Sequence, residues 1–358
     1  MALLRFLCVS SILLMRRHRR IRYDVVHVHN VPDFLVFAAW YPKWKGAKLI
    51  LDIHDIVPEL FANKFGTHAN NSYVRLLKAV EKAAAAFADH VIVSNHLWYE
   101  TITARSVSKD KSSVFLNHTD PAIFYRRVRT RNDGKFIILF PGSFLSHQGL
   151  DLAIEALILV KDKVPDAELH LYGGGGAGED LQRQAERLGL LGSVKFCGGR
   201  SLDQIAEVIA NADLGVVPKR ADSFGNEAYS TKIMEFMSQG IPVVVSKTKI
   251  DSYYFDEKVV CFFPSGDVEA LANAIVNVAT DQHLREQLIA GGYEYVRRHD
   301  WGTNKADYRA LVDSLSTREK HLGVGRQGEL DKGEISRPLN ESQDRAENLK
   351  VREAELRQ

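Results

Sequence analysis

Phe224-Gly225-Asn226-Glu227-Ala228-Tyr229-Ser230-Thr231-Lys232-Ile233-Met234-Glu235-Phe236-Met237-Ser238-Gln239-Gly240-Ile241-Pro242-Val243-Val244-Val245 holds a helix, its stop and the strand that follows. Ile233, Met234, Phe236 and Met237 give the helix one apolar stripe. Gly240 suits the left-handed position after a helix end, and Pro242 cannot continue the helix. The β-branched run from Val243 then reads as a strand buried on both faces. Working outward, the same alternation fills the chain. Strands are expected at 24–29, 48–53, 90–94 and 113–116, then at 136–140, 168–172, 194–196, 214–217, 243–246 and 259–262. Helices are expected at 73–88, 150–160, 180–188, 202–210, 231–239 and 268–280. Near-continuous apolar strands alternating with helices specify an α/β fold with parallel sheets covered on both faces.

The stretch 126–134, Arg-Arg-Val-Arg-Thr-Arg-Asn-Asp-Gly, is charged, poor in apolar residues and ends in a turn dipeptide. It divides the chain into a first Rossmann-like domain (1–125) and a second (135–300), each expected to face a common cleft. A closing helix at 301–316 and a charged tail at 317–358 follow. The tail lacks large apolar residues and is expected to stay disordered or form a solvated helix. Four strands are few for the first domain, and no strand, Gly-rich turn and helix precede residue 24. The domain therefore reads as incomplete, as in an N-terminally shortened product.

Composition narrows the class. With 45% hydrophobic and 26% charged residues among 358, the chain is ordinary globular protein. A net charge of +2 gives no case for a nucleic-acid partner. Cys8, Cys197 and Cys261 are scattered and form no Cys-x-x-Cys pair, so neither a disulfide framework nor a cysteine zinc site is indicated. A reducing, cytoplasmic location fits. The apolar run 2–15 precedes rather than follows its basic cluster (Arg16, Arg17, Arg19, Arg20), which is the wrong order for a signal peptide, and it is short for a membrane span. A partly buried helix and a helix lying on the inner face of a membrane are the two readings left open.

Four motifs carry chemistry. In the opening stretch Glu227 and Glu235 can both face a cleft at the carboxyl edge of the sheet, where α/β folds bind ligands. Carboxylates there make strong hydrogen bonds to sugar and ribose hydroxyls. Lys232, one turn from Glu235, can meet a phosphate or simply pair with that glutamate. Phe140-Pro141-Gly142-Ser143-Phe144-Leu145-Ser146-His147-Gln148-Gly149-Leu150-Asp151 is a strand–turn–helix entry whose amides and helix start suit a diphosphate. Leu171-Tyr172-Gly173-Gly174-Gly175-Gly176 and Val194-Lys195-Phe196-Cys197-Gly198-Gly199 are strands ending in permissive turns, which plain flexible loops also explain.

In the first domain, Leu51-Asp52-Ile53-His54-Asp55-Ile56-Val57-Pro58-Glu59 delivers His54 to a strand end beside two acids. His54 is read as a cleft histidine, as a structural one satisfied by Asp52 or Asp55, or as a metal ligand with Asp55 and Glu59. Of His27, His29 and Asn30, the last two sit at the strand end and are expected to face the cleft. Asn117, His118 and Asp120 precede Pro121 in a turn that they can also simply stabilise.

Together these stretches resemble the retaining GT-B glycosyltransferases of family 4, over roughly 21–313. The resemblance implies a nucleotide-sugar donor, with Glu227 on the donor sugar or its phosphates, Glu235 on the ribose and His54 facing the sugar across the cleft. It implies donor contacts at Gly142, Ser143, Gln148 and Gly174. Members usually carry Arg and Lys where Ser143 and Gln148 stand, so Lys219, Arg220 or Lys232 is expected to supply the missing charge. Transfer would proceed through an oxocarbenium-like state without a protein nucleophile. No Asp-x-Asp motif occurs, so neither a metal nor another cofactor is expected. The acceptor would be a saccharide or a lipid-linked sugar, as in cell-surface polysaccharide or glycolipid synthesis. A sugar-nucleotide epimerase or phosphorylase of the same fold is the rival enzyme reading, and a catalytically inactive donor-binding module the non-enzyme one.

Overall fold

The computed structural model describes residues 2–66 and 71–316, and the charged tail expected at 317–358 lies outside them. The first sheet contains β1 (Val25–His29), β2 (Lys48–Ile53), β3 (His90–Val93) and β4 (Ser112–Val114), parallel and in sequential order. The second contains β5 (Phe136–Pro141), β6 (Ala167–Tyr172), β7 (Val194–Phe196), β8 (Leu214–Val217), β9 (Val243–Lys247) and β10 (Cys261–Pro264). Its order, β10-β9-β8-β5-β6-β7, is that of a doubly wound sheet.

The burial pattern shows why. Ile138 and Phe140 on β5 pack with Leu152 and Ile275 on one side of the second sheet. Leu139, between them, packs with Ile209, Ile233 and Phe236 on the other. Strands buried on both faces need helices on both faces. Helices Leu150–Lys163 and Val268–Thr280 cover one, and Leu202–Ala210 and Thr231–Ser238 the other. Gly215 on β8 lets the last of these lie close, since a Cβ there would meet the Phe236 ring at 2.6 Å. Gly240 takes φ +75° just past that helix, the left-handed stop expected of it.

β5 and β8 pair only at Ile138↔Leu214 and Leu139↔Gly215, then diverge. This is the topological switch point, where successive connections leave to opposite sides and a crevice opens beyond the carboxyl ends. The carboxyl edges of the two sheets meet. Asn95, just past β3, donates to the Glu227 carbonyl at 3.2 Å, and the His96 amide donates to the Tyr254 hydroxyl oxygen at 3.0 Å. Phe224 packs within the first-sheet core against Trp98, ring centroids 5.8 Å apart.

The charged stretch at 126–134 is strapped to the second sheet. The amides of Thr130 and Arg131 donate to Asn211 Oδ1, and Arg129 and Arg131 pair with Asp213. The N-terminal helix Ala2–Arg20 is partly buried, with Leu14 packed against the first-sheet core. It buries His18 but exposes Leu3, Leu4, Phe6, Val9, Ile12 and Leu13. No helix among the described residues is long and apolar enough to cross a membrane. The strand expected at 259–262 begins two residues later, because Asp256 closes a turn by accepting from the Lys258 and Val259 amides.

Candidate active site

The crevice at the switch point is built largely from backbone. Gly142 follows β5 with φ +152°, and its amide donates to the Tyr172 carbonyl at 2.8 Å. A Cβ on Gly173, at φ +139°, would lie 1.8 Å from the Gly142 carbonyl oxygen, so the turns after β5 and β6 touch main chain to main chain. Gly175 likewise admits no Cβ beside the Phe144 carbonyl, whereas Gly174 faces open space. The glycines that geometry requires are therefore 173 and 175, and Gly174 offers its carbonyl to the Phe144 amide at 2.8 Å. Ser143 is exposed at the tip of the turn, and Gln148 closes it just before helix Leu150–Lys163.

The three cations expected to serve this turn have different fates. Lys219 does not reach it. Its ammonium is 2.9 Å from Asp251 and donates to the Ala228 carbonyl at 2.6 Å, and the residue is 2% exposed. It locks the loop after β8 instead. Arg220 is paired with Asp151 in the first turn of helix Leu150–Lys163. Lys232 alone sits under the Gly142 turn. Its Nζ makes only long contacts, 3.4 Å to Gln148 Oε1 and 3.3 Å to Ser230 Oγ, and lies 5.0 Å from the Phe140 ring centroid. Desolvation outweighs the attraction of Glu235 and lowers the Lys232 pKa to about 8.

Glu235, half-buried on the same helix, is pushed above the usual carboxylate range by burial, against the pull of Lys232. Glu227 lies in the turn before the helix, its side chain 28% exposed and its Oε1 3.9 Å from Lys249 Nζ. Its carbonyl accepts from Asn95, so the first lobe holds this turn in place.

On the first sheet, His54 stands at the carboxyl end of β2 with its side chain 34% exposed. Its amide donates to Asn30 Oδ1 at 2.9 Å, and Ser94 Oγ donates to its carbonyl at 3.0 Å. Asn30, expected to face the cleft, is spent on this loop, since its Nδ2 also donates to Asp33 and to the Asp55 carbonyl. The imidazole reaches Asp52 at 3.3 Å and His29 Nδ1 at 2.7 Å. Hydrogen bonding to Asp52 raises its pKa. Against a burial that would raise it, bonds from His27 and His54 bring the Asp52 carboxyl down to about 2.

His27 and His29 stand on one face of β1, rings stacked with centroids 4.5 Å apart, and both reach Asp52. The expectation that only the strand-end pair would face the site missed this grouping, as did the metal set of His54, Asp55 and Glu59. Glu59 is held by Arg105 on another side. The sequence did contain the signal: His-x-His on one strand beside Asp-x-His on the next. His118 binds the His299 carbonyl, and Asp120 accepts from the Ala122 amide, so both serve the turn.

Residues 122–295 match the family model described as Glycosyl transferases group 1, and residues 2–118 match that of the Glycosyl transferase 4-like domain. The chain belongs to the group 1 glycosyltransferases. Among curated relatives it is 28% identical over 184 residues to a phosphatidyl-myo-inositol mannosyltransferase of Mycobacterium leprae, covering 50% of this chain and 47% of that one. It is 22% identical over 296 residues to a sulfoquinovosyl transferase of Arabidopsis thaliana, 79% of this chain and 55% of that one. The chain thus spans about half the length of these relatives. The Anabaena protein HepE, solved with UDP, superposes with a TM-score of 0.67 at 20% identity, over 85% of this chain and 82% of HepE. The fold of this group 1 chain is accordingly GT-B.

Proposed function

We propose that this group 1 chain moves a sugar from a nucleotide-sugar donor to an acceptor hydroxyl with retention of configuration. The observation that carries the reading is the switch-point crevice, where the glycine turn at Gly142, the loosely held Lys232 amine and Glu235 lie at the carboxyl edge of the second sheet. The relatives are named as sugar transferases, and HepE was solved with UDP.

In this reading the start of helix Leu150–Lys163 and the turn amides from Ser143 to His147, other than that of Phe144, receive the diphosphate, since the Gly142, Phe144 and Gln148 amides are spent on carbonyls of the two turns. Lys232 supplies the charge that Ser143 and Gln148 lack, and those two contribute neutral hydrogen bonds. Glu235 accepts from ribose hydroxyls, Glu227 meets the donor sugar, and Gly174 lies by the turn near the base. Lys219 supports the site by fixing the loop that carries Glu227. His54 faces the sugar from the other lobe. The sugar–phosphate bond breaks through an oxocarbenium-like state. The acceptor oxygen bonds on the same face, and its proton passes to the departing phosphate oxygen. The step needs no protein nucleophile and no metal. The exposed apolar helix Ala2–Arg20, ending in arginines, favours a lipid-linked acceptor at the cytoplasmic face of a membrane, for cell-surface polysaccharide or glycolipid.

The test is calorimetric titration with UDP-, GDP- and ADP-sugars, followed by NMR of the product's anomeric proton. One donor is expected to bind saturably. Glu235→Ala should weaken it about 30-fold, as loss of a charge-assisted hydrogen bond worth ~2 kcal/mol does. Binding without turnover on any acceptor would leave a donor-binding module, and no binding by folded protein would end the transferase reading.

A further inference from the structure

We propose that His27, His29 and Asp52 form a binding site for a divalent transition-metal ion of the zinc type, set on the first sheet beside His54. The parallel register places His29 opposite Asp52, and the period of two puts His27 on the same face. His27 Nε2 lies 3.0 Å and His29 Nδ1 3.2 Å from Asp52 Oδ2, and the three ligand atoms fall within 4.8 Å of one another. Bonds of ~2.0–2.1 Å in a tetrahedral zinc site set neighbouring ligands about 3.3 Å apart. The two imidazole–carboxylate edges are therefore already close to coordination spacing.

Proton counting points the same way. Three imidazole nitrogens, from His27, His29 and His54, lie 3.0, 3.2 and 3.3 Å from one carboxylate oxygen. Across the 2.7 Å contact of His29 Nδ1 with His54 Nε2 only one of the two nitrogens carries the proton, so the other presents a lone pair beside the carboxylate, as a ligand of a cation does. Tyr308 Oη lies 2.7 Å from His27 Nδ1, in the position of the outer partner that holds a proton on one ring nitrogen and frees the other for a metal. Two imidazoles and one carboxylate suit zinc and its neighbours, and suit magnesium or calcium poorly. The His29 side chain is 60% exposed, which leaves a path for the ion.

Occupancy has a consequence for His54. Lying against two of the ligands, it either completes the coordination or is held off the sugar. Zinc is then an inhibitor of a transfer step that itself uses no metal. This last clause rests on the function proposed above, whereas the binding site does not.

The full chain, stripped with a chelator, is titrated with Co2+ and then with Zn2+ in competition with a chromogenic chelator. One equivalent of Co2+ should give the visible bands of a four- or five-coordinate nitrogen–oxygen site. Zn2+ should displace it, and Mg2+ should not. His29→Ala, at an exposed side chain, and Asp52→Asn should each lose the stoichiometric site. Tyr308→Phe should weaken it about 10-fold, as loss of an outer partner does. Thermal melts of the metal-free variants separate lost binding from lost folding. A wild type that gives only the octahedral spectrum of free Co2+, or a folded His29→Ala that binds as wild type does, overturns the site whether or not donor binding has been found.

Discussion

The two sheets present their carboxyl edges to the same seam but build them from different material. On the second sheet, the edge at the switch point is main chain: Gly173 and Gly175 lie so close to the backbone of Gly142 and Phe144 that Cβ atoms on them would overlap it. Among the described residues, the loosely held cation there is Lys232. On the first sheet the edge is side chain, with His27, His29, Asp52 and His54 bonded to one another and Asn30 tying the loops behind them. A backbone site depends on topology and tolerates replacement of its polar residues. A side-chain site depends on each member. This difference explains how a turn with Ser143 and Gln148 in place of the family's usual cations can keep its shape.

The contrast is broken most directly at Gly173. Gly173→Ala puts a methyl group into the Gly142 carbonyl at a φ that alanine avoids. It is expected to cost ~3 kcal/mol in denaturant unfolding, at the upper end for one strained residue, and to abolish donor binding. Gly174→Ala, one residue on and facing open space, should stay within about 0.5 kcal/mol of wild type. Equal losses at both positions would mean that the turns do not touch as described. On the first sheet the matching change is His54→Ala. It should lower turnover roughly 100-fold, the scale of one lost transition-state contact, while the donor Kd moves less than about threefold. A large loss of donor affinity instead would assign His54 to ground-state binding.

The same contrast marks what the sequence could tell. Strands 48–53, 194–196 and 214–217 are legible to the residue, because each is a short, largely apolar run bounded by turn or helix-end residues. The Glu227–Glu235 frame is legible because Gly240 and Pro242 fix where its helix ends. The strand order of the second sheet is not, since periodicity says which face is buried but not which strand is next. Helix His96–Arg105 escapes because its apolar residues keep no helical period, and only the Asn95 cap signals it. The histidine grouping needs the β1–β2 pairing before His-x-His and Asp-x-His can be seen as one patch. Lys219 and Lys232 look alike in sequence. Asp251, thirty-two residues downstream of Lys219, decides that one is a strut and the other is available.

Lys232 therefore offers the smallest but most diagnostic effect. Its pKa falls from 10.5 to about 8 on folding, chiefly through desolvation. Below about 8 both folded and unfolded chains carry the proton, so the cost of burying the charge is present in full. Between about 8 and 10.5 the unfolded chain still holds the proton and the folded chain has released it, so this residue makes stability rise with pH through that window. A bound diphosphate favours the charged amine, and the complex keeps its proton. Donor affinity should then be flat below about pH 8 and fall by up to about tenfold per unit above it. At about pH 9 each donor bound should take up close to one proton, seen as a calorimetric enthalpy that varies with the buffer's ionisation heat. Lys232→Met should bind about 10-fold more weakly near neutrality, lose the proton uptake and flatten the profile. A wild-type profile that stays flat across the window would place the phosphate charge elsewhere. The next group to examine would be Arg220, whose pairing with Asp151 keeps it at the start of the same helix.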